Sequence, residues 1–141
     1  MDALYRTYLP DTNVFSKYAK GADGALVARM DRHSSRLRLS AIVLAELKHG
    51  WEKAGDTRRT VRQRDFARKV SPVVPFDEEC ADAYAVVKLA LSQPGNVRVI
   101  GPHDMLIAAQ ALARGFVLVT HNTREFSRIP GLELEDWQTL D

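Results

Sequence analysis

The stretch "DMLIAAQALARGFVLVT", residues 104–120, contains a helix signal and a strand signal on either side of one glycine. Apolar residues fill nearly every position from Met105 to Leu112, which predicts a helix buried almost all round. Gly115 is the residue type that most often ends a helix. Residues 116–119 are all apolar, as expected for a strand covered on both faces in a parallel sheet. A helix that leads into such a strand predicts an α/β fold.

Helices and short strands alternate along the rest of the chain, without an internal repeat, a low-complexity segment or a linker. Ser40 and Asp77 each precede a helical segment and are predicted helix caps. Strands separated by helices predict a single α/β domain, residues 1–141, with a mostly parallel central sheet covered on both faces. Further strands are predicted at residues 6–10, 35–40, 71–76 and 132–137, the last of them an edge strand. Further helices are predicted at 14–30, around a loop at 21–24, and at 41–54, 57–70 and from 78 onward. Irregular structure is predicted at 92–96 and 121–132.

Composition and charge predict an ordinary soluble globular protein. Of 141 residues, 45% are apolar and 27% are charged, and 20 lysines and arginines against 18 acids give a net charge of +2. The total charge therefore does not indicate a nucleic-acid-binding protein, although a local basic surface still can. No apolar run approaches the ~20 residues of a membrane span, and Asp2 and Arg6 interrupt any secretory signal. The single cysteine, Cys80, is compatible with a cytoplasmic location.

Asp11 and Asp104 occupy a strand end and a helix start, where α/β proteins usually carry their chemistry, and a third carboxylate, Glu46, lies within a helix. Asp11 directly follows the first predicted strand, where a turn or a helix cap is the simpler interpretation. Glu46 shares a helix face with Ile42 and Val43, so its carboxylate either reaches solvent or is paired, protonated or bound to a cation. Asp104 lies in the first turn of the buried helix, where complementing the helix dipole is the simpler role.

A fourth polar group follows the buried strand at residues 116–119. Asn122 is a turn residue, a neutral oxygen ligand or a hydrogen-bond donor to the carboxylates, and Glu125 is the nearest charged alternative. Carboxylates that converge at one sheet edge repel unless a cation neutralises them, and oxygen ligands suit Mg²⁺ or Mn²⁺. Zinc is disfavoured, because the chain has one cysteine and no HxxxH spacing. The sequence contains no G-x-S-x-G elbow, P-loop or G-x-G-x-x-G motif.

Four segments together resemble the PIN-domain family: "LPDTNVFS" (9–16), "SAIVLAELKHG" (40–50), "GPHDMLIAAQALARG" (101–115) and "FVLVTHNTREFSRIPGLELEDW" (116–137). Within that family they are most similar to VapC, the ribonuclease toxin of type II VapBC toxin–antitoxin systems. The segments cover nearly the whole chain and occur in the family's order. The resemblance implies a three-layer α/β/α fold and Mg²⁺- or Mn²⁺-dependent hydrolysis of RNA, with products that carry a 5′-phosphate and a 3′-hydroxyl.

The resemblance also implies roles for individual acids. Asp11, Glu46 and Asp104 match the family's three acids. Asp11 and Asp104 are expected to hold the metal directly, and Glu46 to bind it directly or through water. Asn122 falls where many PIN domains carry aspartate, which leaves open whether Asn122 or Glu125 completes the site.

Two further polar residues match positions of the PIN-domain family, and one proline departs from it. Asn13 and Thr120 match family positions that orient the acids. Pro10 departs from the family, in which an apolar residue other than proline is usual. Because proline has no N–H, either the first strand ends one residue early or this position faces no partner.

The resemblance implies a homodimer and a VapB-type antitoxin, with operator DNA bound only through the antitoxin and no membrane partner. RNA has to reach an acidic site, so basic side chains are expected around it. The candidates, for which a solvated helix face is the simpler interpretation, are Lys17, Lys20, Arg58, Arg59, Arg62, Arg64, Arg68 and Lys69. The antitoxin groove is expected near Tyr18, Leu26, Met30, Leu47 and Trp51, all of which are also plausible core residues.

Two other functions fit part of the sequence. A catalytically silent PIN-like module would bind RNA or protein without cutting it, but three buried acids without a cation would destabilise such a module. A Mg²⁺-dependent phosphatase would also place an aspartate after the first strand. Those enzymes generally carry a second aspartate two residues further on, where this chain has Asn13. The sequence therefore favours the nuclease.

Overall fold

Helices and short strands alternate in the structure as the sequence predicts. A computed structural model describes residues 6–70, 72–92 and 100–140. Its strands are β1 (Tyr8–Pro10), β2 (Leu39–Ser40), β3 (Val73–Val74), β4 (Val117–Val119) and β5 (Leu134–Glu135). Its helices are α1 (Thr12–Lys20), α2 (Gly24–Arg32), α3 (Ala41–Ala54), α4 (Arg58–Lys69), α5 (Glu78–Leu91), α6 (Pro102–Arg114) and α7 (Thr123–Phe126), with a 3₁₀ turn at Ser34–Arg36.

Every strand pair within these described ranges is parallel. β4 lies at the centre of a three-stranded sheet in the order β1–β4–β5, with Leu9 opposite Leu118 and Leu118 opposite Leu134. β2 and β3 form a two-stranded sheet, which is joined to β1 by a bridge between Tyr8 and Leu37. Helices flank this parallel sheet, so the predicted α/β fold is confirmed, with β5 as an edge strand.

Pro10 accounts for the limited pairing between β1 and β2. The backbone of Asp11 points to β4, because its N–H donates to the Val119 carbonyl at 3.0 Å. The Tyr8 carbonyl points the other way and accepts from the Arg38 N–H at 2.9 Å. Backbone groups alternate along a strand, so the Pro10 nitrogen lies on the β2 side. β1 therefore does not end early. The Pro10 nitrogen, which has no hydrogen to donate, faces β2, and pairing on that side stops after the single bridge.

Helix ends follow the predicted capping. The side chains of Asp11, Ser40 and Asp77 accept from backbone N–H groups in the first turns of α1, α3 and α5. α6 begins at Pro102 and ends at Gly115, whose φ of 68° is in the left-handed region that favours glycine. α1 begins two residues earlier than predicted, because the cap sets its start rather than the first apolar residue.

Two segments differ from the prediction, and a third lies almost entirely outside the described residues. Residues 34–36 form a 3₁₀ turn, so the strand predicted at 35–40 is reduced to Leu39–Ser40. Residues 121–132 contain α7, a single turn that is too short to show helical periodicity. The irregular segment predicted at 92–96 lies outside the described residues except for Ser92. Across the ranges that the structure describes, no helix is long and apolar enough to cross a membrane.

A buried amide connects three elements of the fold. The Oε1 atom of Gln110, which is fully buried in α6, accepts from the Ser40 hydroxyl. Its Nε2 atom donates to the Val74 carbonyl at 3.0 Å. The Ser40 hydroxyl oxygen also accepts from the N–H groups of Ile42 and Val43, at 3.0 and 3.3 Å. Gln110 thus links the middle of α6 to the start of α3 and to β3.

The C-terminal segment is anchored by a buried carboxylate. Asp23 caps α2 by accepting from the Leu26 N–H at 3.1 Å. It also accepts from the Thr139 N–H at 2.7 Å, the Thr139 hydroxyl at 2.5 Å and the Leu140 N–H at 2.9 Å. Burial raises the pKa of Asp23, but these hydrogen bonds outweigh it and hold the pKa well below its usual range. The ionised side chain therefore ties the end of the chain to α2.

Candidate active site

Asp11 is the most buried of the three predicted acids. It lies between β1 and α1, and only 7% of its surface is exposed. Its carboxylate accepts from the Val14 N–H at 3.0 Å and from the Thr120 hydroxyl. Burial raises the pKa of Asp11 from 3.8 to about 6; the charges of Asp104 and Glu46 contribute to the rise, and the two hydrogen bonds oppose it. The surroundings of Asp11 therefore disfavour negative charge in the absence of a cation.

Thr120 connects the end of β4 to Asp11. It is fully buried, and its N–H donates to the Glu135 carbonyl at 3.0 Å. Its hydroxyl oxygen accepts from the Asn122 N–H at 3.1 Å, and the hydroxyl group donates to the Asp11 carboxylate. These contacts hold Thr120 against Asp11, whereas its role in orienting that carboxylate stays a prediction.

Asp104 lies in the first turn of α6 and is half-buried. Burial raises its pKa, the charge of Glu46 raises it further, and the neighbouring His103 lowers it. Asp104 and Glu46 also raise the pKa of Asp11. The structure therefore brings the three predicted acids into one electrostatic neighbourhood.

Glu46 is half-buried rather than buried, and its carboxylate is paired. Its side chain is 30% exposed. The Thr12 hydroxyl donates to Oε1 at 2.5 Å, and His103 Nδ1 lies 3.2 Å from Oε2. The sequence leaves open whether the Glu46 carboxylate reaches solvent or is paired, protonated or bound to a cation, and the structure shows it paired with Thr12 and His103. The expectation of three buried acids is also corrected, because only Asp11 is buried.

The donor set suits a hard divalent ion, although the observed arrangement does not form a complete metal centre. All three candidate ligands are carboxylates, which Mg²⁺ and Mn²⁺ prefer. Within the part of the chain that the structure describes, no group of three or more His, Cys, Asp and Glu side chains is arranged to hold a metal ion. Thr12 contacts Oε1 of Glu46 and His103 contacts Oε2, so an ion bound directly by Glu46 would either use a remaining lone pair of one of these oxygens or replace a contact.

The remaining predicted residues lie at different depths. Asn13 is exposed on α1, away from the buried side of that helix. Asn122 is half-buried in front of α7, and its side chain makes no capping hydrogen bond there. Glu125 is buried within α7, with 4% of its surface exposed. Whether Asn122 or Glu125 completes the site, and whether Asn13 orients the acids, stay predictions.

A cavity next to Glu46 contains site residues that sequence reasoning missed. Its volume is about 450 Å³, and we call it the α3–α6 cavity. Thr12 and His103 were not predicted, although each directly adjoins a predicted acid in the sequence. Adjacency to Asp11 and Asp104 is the signal that could have identified them. The cavity is lined by Thr12, Ile42, Ala45, Glu46, His49, His103 and Leu106.

The basic side chains of α4 are partly neutralised. Arg64 pairs with Asp56 at 3.2 Å, and Arg68 lies 3.8 Å from Asp65. These ion pairs support a solvated helix face for this part of α4.

The residues predicted to line an antitoxin groove do not form a surface, because most of them belong to the core. Tyr18, Leu26, Met30 and Leu47 are buried, and Trp51 is half-buried.

Comparisons with known proteins agree with this fold. A family model for the PIN domain matches residues 8–132. The chain is 33% identical over 130 residues to the tRNA(fMet)-specific endonuclease VapC of Salmonella typhimurium, which covers 92% of this chain and 97% of that protein. It is 36% identical over 104 residues to the ribonuclease VapC2 of Rickettsia felis, covering 74% and 76% of the two chains.

Solved structures give the same result. DNA-bound VapBC from Salmonella typhimurium matches with a TM-score of 0.78 and 32% identity, covering 94% of this chain and 98% of the other. VapBC2 from Rickettsia felis, bound to a DNA fragment of its promoter, matches with a TM-score of 0.78 and 29% identity, covering 94% and 99%. The chain belongs to the PIN-domain family. Within that family it is a VapC-type ribonuclease toxin, so the resemblance predicted from the sequence is confirmed.

Proposed function

We propose that the chain is a Mg²⁺-dependent endoribonuclease, with Mn²⁺ as an alternative ion, and that a VapB-type antitoxin neutralises it. The observation that carries this proposal is the buried Asp11, whose pKa is raised to about 6 and whose neighbours include the charges of Asp104 and Glu46. A divalent cation would relieve this repulsion and favour ionised carboxylates. The relatives named as a ribonuclease and as a tRNA endonuclease support RNA as the substrate.

Each residue has a proposed role. Asp11 and Asp104 would hold the ion directly, and Glu46 would bind it directly or through water. When bound, the ion would polarise the phosphodiester and activate water for in-line attack. Thr120 keeps the Asp11 carboxylate in a fixed orientation. Asn122 is the proposed fourth catalytic residue, and Asn13 and Glu125 are proposed supporting residues.

The proposed partners follow from the related complexes. Solved VapBC complexes bound to DNA support a VapB-type antitoxin as partner and contact with operator DNA through that antitoxin. We also propose a homodimer in the cytoplasm without a membrane partner. The buried free Cys80 is compatible with that location.

Removal of the metal tests the nuclease directly. The antitoxin-free chain should cleave single-stranded RNA in Mg²⁺, and excess EDTA should reduce the rate more than about 100-fold, because the proposed ion both activates the water and polarises the phosphodiester. Sequencing of the products should give 5′-phosphate and 3′-hydroxyl ends. Full activity in EDTA would contradict metal dependence. A folded protein that binds RNA but never cuts it would instead support the catalytically silent module.

Replacing Thr120 by valine tests the positioning of Asp11. Valine keeps the shape but cannot donate to Asp11, so the pKa of Asp11 should rise further and Mg²⁺ affinity or activity should fall about 10- to 100-fold. Carbon-detected NMR titration of the metal-free protein measures that pKa. Thr120→Ser, which keeps the hydroxyl, is the matched control and should behave like the unmutated chain. An Asp11 titration that Thr120→Val leaves unchanged would exclude the positioning role.

A further inference from the structure

We propose that the α3–α6 cavity binds one unpaired base of the RNA, next to the phosphodiester bond that is cut. This inference rests on the proposed function and adds a recognition site to it. The cavity volume of about 450 Å³ is within the usual range for small-molecule sites. Its position beside the acids makes it a base-selecting site rather than a remote binding surface.

The cavity is continuous with the candidate active site. Glu46 and Thr12 both line it, and the Thr12 hydroxyl donates to Glu46 at 2.5 Å. Thr12 directly follows Asp11 in the chain, and His103 directly precedes Asp104. A nucleotide whose phosphate lies at the acids therefore has the cavity within reach of its own base or of the adjacent base.

The lining offers the two kinds of contact that an exposed base requires. Ile42 and Leu106 are half-buried and form an apolar surface. His49 and His103 are exposed and place imidazole rings in the cavity lining. Proteins recognise single-stranded RNA by stacking splayed bases on aromatic side chains, histidine included, and by hydrogen bonds to the base edges. The imidazole nitrogens of His49 can form hydrogen bonds to such a base edge.

The charge of the lining favours a base over a phosphate. Neither lysine nor arginine is among the described residues that line the cavity, whereas the Glu46 carboxylate is. A phosphate would be repelled by that carboxylate and would find no fixed cation. A planar, uncharged ring with polar edges fits both the apolar and the polar parts of the lining.

Filling the cavity tests this inference. Ala45→Phe places a ring in the cavity, and His49→Ala removes one imidazole without touching Glu46 or an acid. The matched control is Ala54→Phe, an exposed position of the same helix nine residues further on, or about 14 Å along the axis. Short single-stranded RNAs that differ in one base beside the cut provide kcat and KM, and product ends from total RNA provide the base preference.

The cavity variants should change which base is preferred beside the cut, and they should leave the metal-dependent cleavage step unchanged. Ala45→Phe and His49→Ala should each lower kcat/KM for the preferred base about 10-fold, mainly by raising KM. A loss of this size is usual for one base-stacking contact. The Mg²⁺ concentration needed for half-maximal rate should stay the same, and Ala54→Phe should match the unmutated chain. Cleavage by both cavity variants with unchanged KM and base preference would overturn this inference alone.

Failure of the proposed function has a different signature. An unmutated chain that does not cut RNA would overturn the nuclease and the base site together. If Ala45→Phe fails to fold, His49→Ala carries the test, because its side chain is exposed and its removal leaves the core intact.

Discussion

Asp11→Asn is expected to reduce RNA cleavage by more than about 100-fold, because a neutral amide neither neutralises nor firmly holds a divalent ion. The side chain is nearly the same size, and its remaining carbonyl oxygen can still accept from the Val14 N–H that caps α1. The fold should therefore survive. Cleavage rates at saturating Mg²⁺, together with far-ultraviolet circular dichroism, measure both outcomes.

The same variant should be more stable than the unmutated chain when metal is absent. Burial raises the pKa of Asp11 from 3.8 to about 6. The folded state therefore holds this proton more tightly than the unfolded state, and stability falls as pH rises from about 4 to about 6. At neutral pH the ionised carboxylate destabilises the fold by about 1–3 kcal/mol, and Asp11→Asn removes that loss. Urea unfolding in EDTA at pH 4.5 and pH 7.5 measures the difference.

A matched exposed residue provides the control. Asp82 is exposed on α5, so Asp82→Asn should change neither cleavage nor the dependence of stability on pH. A folded Asp11→Asn protein with unchanged ribonuclease activity would remove Asp11 from the proposed mechanism. Equal stability of Asp11→Asn and Asp82→Asn at pH 7.5 in EDTA would show that the Asp11 carboxylate does not destabilise the metal-free fold.

Asp23→Ala is expected to lower the free energy of unfolding by about 3 kcal/mol, because hydrogen bonds to a charged group are worth about 1.5–3 kcal/mol each and several are lost together. The buried Asp23 accepts from Leu26, from both donors of Thr139 and from Leu140. Hydrogen exchange should report faster exchange at Thr139 and Leu140, and urea unfolding gives the free energy.

The dependence on pH separates this role from simple packing. The pKa of Asp23 is lowered in the folded state, so its contribution is complete above the unfolded value of about 4 and is lost as pH falls below it. The gap in stability between the unmutated chain and Asp23→Ala should therefore narrow in acid. Asp82→Ala is the control, since it removes an exposed aspartate. A gap that does not change with pH would contradict the ionic anchor.

Elements with strong local signals were predictable from the sequence. Asp11, Ser40 and Asp77 are residue types that cap helices, and each does so. Gly115 ends α6, and the apolar run before Thr120 is the central strand. These features depend on a few neighbouring residues, whose preferences act before any tertiary contact forms. That Asp11, Glu46 and Asp104 lie near one another was predictable as well, because parallel strands deliver their carboxyl ends to one edge of a sheet, whereas the catalytic roles of these acids stay predictions.

Long-range side-chain contacts were not predictable in the same way. Thr12 and His103 come from different helices to contact Glu46, and no local pattern specifies that pairing. The limited pairing of β1 with β2 depends on which side of the strand Pro10 occupies, which the register fixes and the residue type does not. α7 is one turn long and carries no periodicity.

The hydrogen bond between Gln110 and Ser40 has a geometric consequence for the acids. Gln110 lies six residues after Asp104 in α6, and Ser40 lies six residues before Glu46 at the start of α3. At 1.5 Å per helical residue, each carboxylate is carried about 9 Å from the same junction. Asp104 and Glu46 thus lie at equal helical distances from a hydrogen bond that joins α6 to the start of α3. A buried amide that is six residues away from either acid thereby helps to hold together the two helices that carry them.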